Sequence, residues 1–368
     1  MTPPSFAVLA ATPAGARLGR LTLAHGVVET PAFMPVATQG SVKGVTPAQL
    51  EDVGATIVLA NAYHLAQRPG VDVVTALGGL HTMMGWSRPV LTDSGGFQVM
   101  SLAGLVRVED AGVRYRSHVD GRHGFLRPED AVALQEALGV DVAMSLDECV
   151  PADAEPARVA RAVARTSEWA ARGVAARRRP EVALFGIVQG GLDVARRTES
   201  AADLLALEFD GYAVGGLCVG EPLEETVRVA AETVRLLPWN RPRYLMGMGT
   251  PHDLLTFAGL GYDLFDCVLP TRNGRNGTLF TREGKLMIRN ARHARDARPP
   301  DASCGCYTCR HFSRGALRHL ALAGEMLAAQ LATLHNLFFY LQLMSEIRTD
   351  LRAGTFPLRA RAAAGAWA

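Results

Sequence analysis

Cys304, Cys306 and Cys309 crowd into a C-x-C-x2-C run, and His335 follows in a stretch with helical spacing. Three thiolates and one imidazole fill the tetrahedral shell that a structural zinc takes. A closed shell of four ligands leaves no position for a substrate. One such ion would hold the fold together, and the chemistry must lie elsewhere. Three clustered thiols cannot all pair locally as disulfides, and Met1 to Leu18 lacks the basic region and apolar core of a secretory signal. An iron–sulfur centre is compatible with the donor types, although the tight C-x-C step and distant histidine fit zinc better. Cys149, Cys218 and Cys267 lie in or just after apolar runs and read as buried free thiols. Together the cysteines point to a reducing, cytoplasmic setting.

Reactive groups recur just after short apolar runs. Asp93-Ser-Gly-Gly-Phe-Gln98 follows Leu91-Thr92, and Asp147-Glu148-Cys149 follows Met144-Ser-Leu146. Gln189-Gly-Gly191 follows Gly186-Ile-Val188, Gly215-Gly-Leu-Cys-Val-Gly-Glu221 follows another such run, and Asp266 ends a further one. A single aspartate in such a place is best read as a turn or cap, whereas five clusters at five run ends argue for a site. The glycines let a flat ligand approach the backbone. Asp147 and Gln189 have the donors and acceptors to grip the edge of a heterocycle, and Phe97 and Met246 the surfaces to cover its faces. Between two carboxylates, one suits a nucleophile at an electrophilic sugar carbon and the other an acid or base.

Those groups need a scaffold that brings strand ends together. Phe33–Val36, Ala55–Ala60, Pro89–Thr92, Asp141–Leu146, Val182–Val188, Tyr212–Leu217, Tyr244–Met248 and Tyr262–Val268 read as buried parallel strands, continuous apolar runs rather than strict alternations, as in Ile57-Val-Leu-Ala60. Helices start between them at Thr46-Pro47 and Thr250-Pro251-His-Asp253, where a capping hydroxyl precedes a first-turn proline. Eight strand–helix units predict an α/β fold, a (β/α)8 TIM barrel, with its chemistry at the C-terminal strand ends; a doubly wound sheet is the rival. Val106 to Gly124 predicts a small hairpin insert, and Leu317 to Ile347 a helix docked through Leu320, Leu322, Met326, Leu327 and Leu331. The expected division is a catalytic barrel over 1–271, a basic zinc-binding subdomain over 272–347 and a C-terminal extension over 348–368.

A formal charge of +2 over 368 residues does not by itself call for a nucleic acid. Thr271 to Arg318, however, carries eleven Lys or Arg against three acidic residues, a net +8. Such clustering suits phosphates, a solvated basic face being the plain alternative. Thr271-Arg-Asn-Gly-Arg275, just after Asp266, is placed to hold backbone phosphates. No apolar segment reaches the roughly 18 residues of a membrane span.

Thr92-Asp-Ser-Gly-Gly-Phe-Gln98, Ser145-Leu-Asp-Glu-Cys149, Gly186-Ile-Val-Gln-Gly190 and Gly215-Gly-Leu-Cys-Val-Gly-Glu221 resemble successive motifs of the bacterial tRNA-guanine transglycosylases. Tyr244-Leu-Met-Gly-Met-Gly249, Phe265-Asp-Cys-Val-Leu-Pro-Thr-Arg272 and the cysteine run continue the match in order over almost the whole chain. The resemblance implies a zinc-containing barrel enzyme that replaces the wobble guanine of G-U-N anticodon tRNAs with 7-aminomethyl-7-deazaguanine, a queuosine precursor. It makes Asp266 the nucleophile at the ribose anomeric carbon, forming a covalent tRNA intermediate, and Asp93 the acid/base. It assigns base recognition to Asp147 and Gln189, stacking to Phe97 and Met246, and a polar wall to Gly216 and Leu217. Glu221 would orient the peptide whose Leu217 carbonyl accepts from the aminomethyl group. Thr271, Arg272, Asn273, Gly274 and Arg275 would meet tRNA, while Cys304, Cys306, Cys309 and His335 would bind one structural zinc per subunit of a homodimer.

Some positions depart from the pattern. Phe97 stands where some relatives have tyrosine, and Cys218 where a small alanine or serine is frequent. Val219 fits the bacterial pattern, and the chain lacks length for the extra RNA-binding domains of archaeal relatives. A hydrolase acting on a small nucleoside or glycoside explains the carboxylates but neither the basic segment nor the cysteines. A noncatalytic tRNA-binding subunit does not require both aspartates.

Overall fold

The computed structural model describes residues 3–96, 104 and 106–356. The chain opens with an antiparallel sheet, β1 (Ser5–Ala11), β2 (Arg17–Leu23) and β3 (Gly26–Thr30), paired in that order. No element was expected there, because β1 (Ser-Phe-Ala-Val-Leu-Ala-Ala) lacks a clean polar alternation. Leu21, Leu23 and Val28 are buried against residues of the barrel interior such as Leu91, Val142 and Leu264. The sheet therefore closes the floor of the barrel.

The expected (β/α)8 barrel follows. β4 (Ala32–Met34), β5 (Val58–Asn61) and β6 (Val90–Asp93) begin it. An insert of β7 (Val106–Glu109), β8 (Gly112–Arg116) and β9 (His123–Leu126) interrupts the alternation, and β10 (Val142–Met144), β11 (Ala183–Val188), β12 (Gly211–Val214), β13 (Arg243–Leu245) and β14 (Leu264–Asp266) complete it. Neighbouring barrel strands pair in parallel, β14 returns to β4, and a Val36–Leu59 bridge joins the β4 end to β5. The eight expected strands are all present; β6 keeps the length of its run, displaced by one residue, and the other seven are shorter because the flanking residues turn into loops. Thr46 and Thr250 cap their helices as expected, each in a reciprocal capping box with Gln49 or Asp253.

Three local expectations need correcting. The insert is a three-stranded sheet rather than a hairpin: β9 adds to β8, and Val113 and Trp169 anchor it on the outer helices. Leu317 to Ile347 is not one helix. Gly324, at φ +77°, ends the helix Arg314–Ala323, and a second runs from Met326 to Ala353, through position 347. Phe356 is buried in the outer core beyond it. Leu331 docks as expected, but Leu322, Met326 and Leu327 face solvent, Met326 at 82% exposure. These three side chains lie at the helix ends that meet around Gly324, where no neighbouring element among the described residues covers them. The last strands, β15 (Thr278–Thr281) and β16 (Gly284–Met287), form a hairpin. It packs on the Met326–Ala353 helix through Leu279 and Leu286.

Candidate active site

Asn61 ends β5, Asp93 ends β6, Gln189 follows β11 and Asp266 ends β14; Asp147 lies three residues beyond β10. Parallel strands of a barrel point their C-terminal ends to one face, so these residues converge. Together with Gly216, Leu217 and Met246 they line a cavity of about 320 Å³. That volume lies within the range of small-ligand pockets. Phe97 lies outside the described residues.

The carboxylates differ in their partners. The Asp266 Oδ1 accepts from the Tyr244 hydroxyl at 2.6 Å and from the Gly247 N–H at 2.8 Å. Burial raises its proton affinity while both donors oppose the rise. Its Oδ2 has no protein partner among the described residues. Asp93 accepts from Asn61 Nδ2 at 3.0 Å on Oδ2; its buried Oδ1 has no hydrogen bond of good geometry among the described residues, although the Ser94 and Gly95 N–H groups lie close enough to ease its charge. Burial, reinforced by the charges of Asp147 and Asp266, pushes Asp93 up to about 7. Asp147 rises to about 6, chiefly by burial; Gln189, donating from Nε2 at 2.6 Å, opposes this. The mouth thus holds one carboxylate steadied by two donors beside one poised to gain or lose a proton near neutrality.

The wall beside them is built from backbone. Gly216 adopts φ +65°, and a side chain there or at Gly215 would run into Gln189. The Glu221 carboxylate accepts from the N–H groups of Cys218 and Val219 and from the Thr226 hydroxyl at 2.8 Å. The Cys218 N–H belongs to the same trans peptide as the Leu217 carbonyl, so Glu221 fixes the opposite direction of that oxygen. Cys149 and Cys267 are buried as expected, but Cys218 is exposed, with φ +60°. The turn that aims this loop at Glu221 lifts its side chain out.

The family profile described as "Queuine tRNA-ribosyltransferase" matches residues 12–367. The chain belongs to the queuine tRNA-ribosyltransferase family. It is similar to a protein of that name from Moorella thermoacetica, 53% identical over 340 residues, covering 92% of this chain and 91% of the relative. One from Thiobacillus denitrificans is 50% identical over 345 residues, covering 94% of each chain. By that family membership the chain is an enzyme, a pentosyltransferase.

This ribosyltransferase-family chain also carries the expected four-residue cluster. The Nδ1 of His335 lies 3.8, 3.5 and 3.3 Å from the Sγ atoms of Cys304, Cys306 and Cys309. With bonds of about 2.3 Å to sulfur and about 2.05 Å to nitrogen, a tetrahedral edge is about 3.6 Å, so the spacings fit one ion. The His335 Nε2 faces the Phe280 carbonyl at 2.7 Å, which leaves Nδ1 as the ligand atom. The cluster could hold one metal ion.

Arg272 is exposed and lines the cavity rim, and Arg275 donates to the Thr271 carbonyl at 2.9 Å. Thr271 is buried, and a Cβ at Gly274 would meet the Thr333 backbone N at 2.7 Å. Within this motif Gly274 serves a close helix crossing, and the groups open to a ligand are Arg272, Asn273 and Arg275. Lys285, Arg289, Arg292, Arg295 and Arg310 are exposed, with no acidic partner among the described residues.

Sequence reasoning missed Asn61, Tyr244 and Arg197. Asn61 caps a helix, accepting from the His64 N–H, and a capping asparagine carries no signal of a further role. Tyr244 reads as strand filling. Arg197, beside Arg196 on a helix, reads as a solvated cation yet is wholly buried.

Proposed function

We propose that this chain exchanges the wobble guanine of G-U-N anticodon tRNAs for 7-aminomethyl-7-deazaguanine through a covalent aspartyl–tRNA intermediate. The observation that carries the reading is the pairing, in one cavity, of Asp266, steadied on Oδ1 and open at Oδ2, with Asp93, poised near 7. Asp266 Oδ2 attacks the ribose anomeric carbon as the glycosidic bond breaks, and its electron pair leaves with guanine. Asp93 passes a proton to the departing base and takes one from the arriving base, whose attack at the same carbon releases Asp266. Two displacements retain the β configuration.

Asp147 and Gln189 read the base edge, Phe97 and Met246 stack on it, and Gly216 and Leu217 form the polar wall. The Leu217 carbonyl, held by Glu221, accepts from the aminomethyl group. Arg272, Asn273 and Arg275 meet the phosphates near the extruded nucleotide, with Thr271 and Gly274 shaping that turn, and the unpaired cations beyond extend the contact. Residues 1–271 carry the chemistry and 272–347 the basic RNA-facing subdomain, while 348–368 extend it. Cys304, Cys306, Cys309 and His335 bind one structural zinc, which fixes the subdomain and takes no part in catalysis. The exposed Leu322, Met326 and Leu327 seat a second copy in a homodimer. Among the described residues no helix is long and apolar enough to cross a membrane. Six free cysteines suit the cytoplasm.

The test is incorporation of labelled guanine into unmodified tRNA with a G-U-N anticodon, located by digestion. Label at the wobble position is expected. Release of guanine without incorporation would make the enzyme a hydrolase, and binding without either would make it a noncatalytic subunit.

A further inference from the structure

Asp147 and Glu148 are adjacent and both buried, yet their side chains go to different places. Asp147 lines the cavity, whereas the Glu148 carboxylate pairs with the Arg165 guanidinium on the helix Pro156–Ala176. The Glu148 N–H donates to the Thr166 hydroxyl of the same helix at 3.0 Å. The peptide that joins the two acidic residues is thus held from outside the cavity.

Arg165 has a second partner. Its Nε and Nη2 donate to the Asp110 carboxylate at 3.0 and 2.7 Å, in the turn between β7 and β8. Trp169 Nε1 donates to the Asp110 carbonyl at 2.7 Å, and Arg172 to the Asp110 and Ala111 carbonyls at 3.2 and 3.1 Å. Positions 165, 169 and 172 share one face of the helix. Trp169 and Arg172 bind the turn of the insert, and Arg165 also reaches inward to the residue after Asp147. The Asp110 side chain is 82% exposed and that of Glu148 only 8%. In so dry a place the Glu148 charge acts on its neighbour: burial raises the proton affinity of Asp147, Gln189 opposes the rise, and Glu148 adds to it. A carboxyl that accepts from N–H groups of a base edge must be ionised, because the protonated form puts a donor where an acceptor is needed.

We propose that Arg165 is a positioning residue, which offsets the Glu148 charge and keeps Asp147 a fixed, ionised acceptor for the base edge. The assignment rests on the reading of the cavity as a guanine site. Sharing the cavity with Asp147 are Asp93 on β6, Asp266 on the opposite strand β14, Gln189, Arg272 at the rim and Cys149. The Cys149 thiol is pushed up to about 12, chiefly by burial, and stays neutral; the buried Arg197 charge acts on that thiol.

The test follows guanine binding against pH in an Asp93→Asn background, which removes the neighbouring acid that titrates near neutrality. Affinity should fall as pH drops through the Asp147 value. Arg165→Met leaves the Glu148 charge beside Asp147, and should move that midpoint up by at least ~0.5 pH unit, about threefold in affinity on the acid side. Glu148→Gln, in which Arg165 keeps Asp110, should move it down, and the double variant should return it to within ~0.2 unit of the parent. A uniform loss at every pH in Arg165→Met would leave Arg165 a structural brace and overturn the assignment. A midpoint that stays or rises in Glu148→Gln would overturn it too, even where Arg165→Met fails to fold. Parent protein that binds guanine at no pH would overturn the functional reading and this assignment with it.

Discussion

The two ends of the barrel bury the same residue type and treat it in opposite ways. At the floor, the Asp141 carboxylate accepts four bonds: the His25 N–H and Nδ1 and the Val90 N–H, each at 2.9 Å, and His81 Nε2 at 3.1 Å. Burial raises its proton affinity, but those donors outweigh it and hold the group below the ordinary range. The His25 and His81 rings stack with centroids 3.7 Å apart, a bracket for that carboxylate and a poor pair of metal ligands, because an ion cannot lie in both ring planes. Asp263, equally buried, is gripped by Arg17 and by the Arg243 N–H at 2.7 Å; burial still leaves its proton affinity raised, so there the partners offset the rise without reversing it. At the mouth, Asp93 Oδ1, Asp147 Oδ1 and Gln189 Oε1 are buried without hydrogen bonds of good geometry among the described residues, and both carboxylates rise. Matched lone pairs make buried charge a source of stability. Unmatched ones cost stability and are retained where a ligand completes them.

Opposite outcomes from equivalent substitutions at the two ends test that contrast. Asp266→Asn should abolish the covalent adduct on denaturing gels and cut exchange by at least about 10⁴-fold, while tRNA binding and the unfolding midpoint hold. An undiminished adduct would move the nucleophile elsewhere. Arg17→Met should do the reverse, leaving the buried Asp263 charge without its guanidinium and held only by the Arg243 N–H and the Thr30 hydroxyl. Urea titration should show a loss of about 3–5 kcal/mol, with exchange per folded molecule unchanged.

Asp93→Asn separates the two roles of one side chain. Its folded value, about 7, lies above the roughly 3.9 of an unfolded aspartate, so the folded state keeps a proton that the unfolded chain releases. Stability from that proton is fully present below pH ~4 and is lost at about 1.4 kcal/mol per pH unit as pH rises towards 7. The variant should therefore gain up to about 3 kcal/mol over the wild type at pH 8 relative to pH 5, while losing exchange activity. A pH-independent difference would refute the shifted proton. The smallest effect belongs to the rim. Arg272→Ala should weaken tRNA binding and reduce its salt slope by about 1, with free-base affinity unchanged. Equal losses for both ligands would contradict a phosphate contact.

Much of the scaffold was legible from local signals. Continuous apolar runs such as Ile57-Val-Leu-Ala60 mark strands buried on both faces, and Thr46-Pro47 and Thr250-Pro251 mark helix starts that the structure repeats. The N-terminal sheet was not legible, because β1 alternates in exposure while its residue types, Ser-Phe-Ala-Val-Leu-Ala-Ala, show no matching polar–apolar alternation. The exposure of Leu322 and Met326 was equally hidden, since an apolar residue at helical spacing does not reveal whether anything faces it.

The sequence by itself determined which reactive groups follow which apolar runs, and the donor set and spacing of Cys304, Cys306, Cys309 and His335, because strand ends, caps and ligand types are properties of a few adjacent residues. Only the tertiary structure decided what those groups do to one another. The proton affinity of Asp93 depends on burial and on Asp147 and Asp266, which arrive from other strands. The Asp266 oxygen left open depends on Tyr244, and the Arg197 contacts depend on carbonyls of two separate loops. Desolvation and hydrogen-bond matching are set by neighbours distant in the chain, and no local pattern of residues contains them.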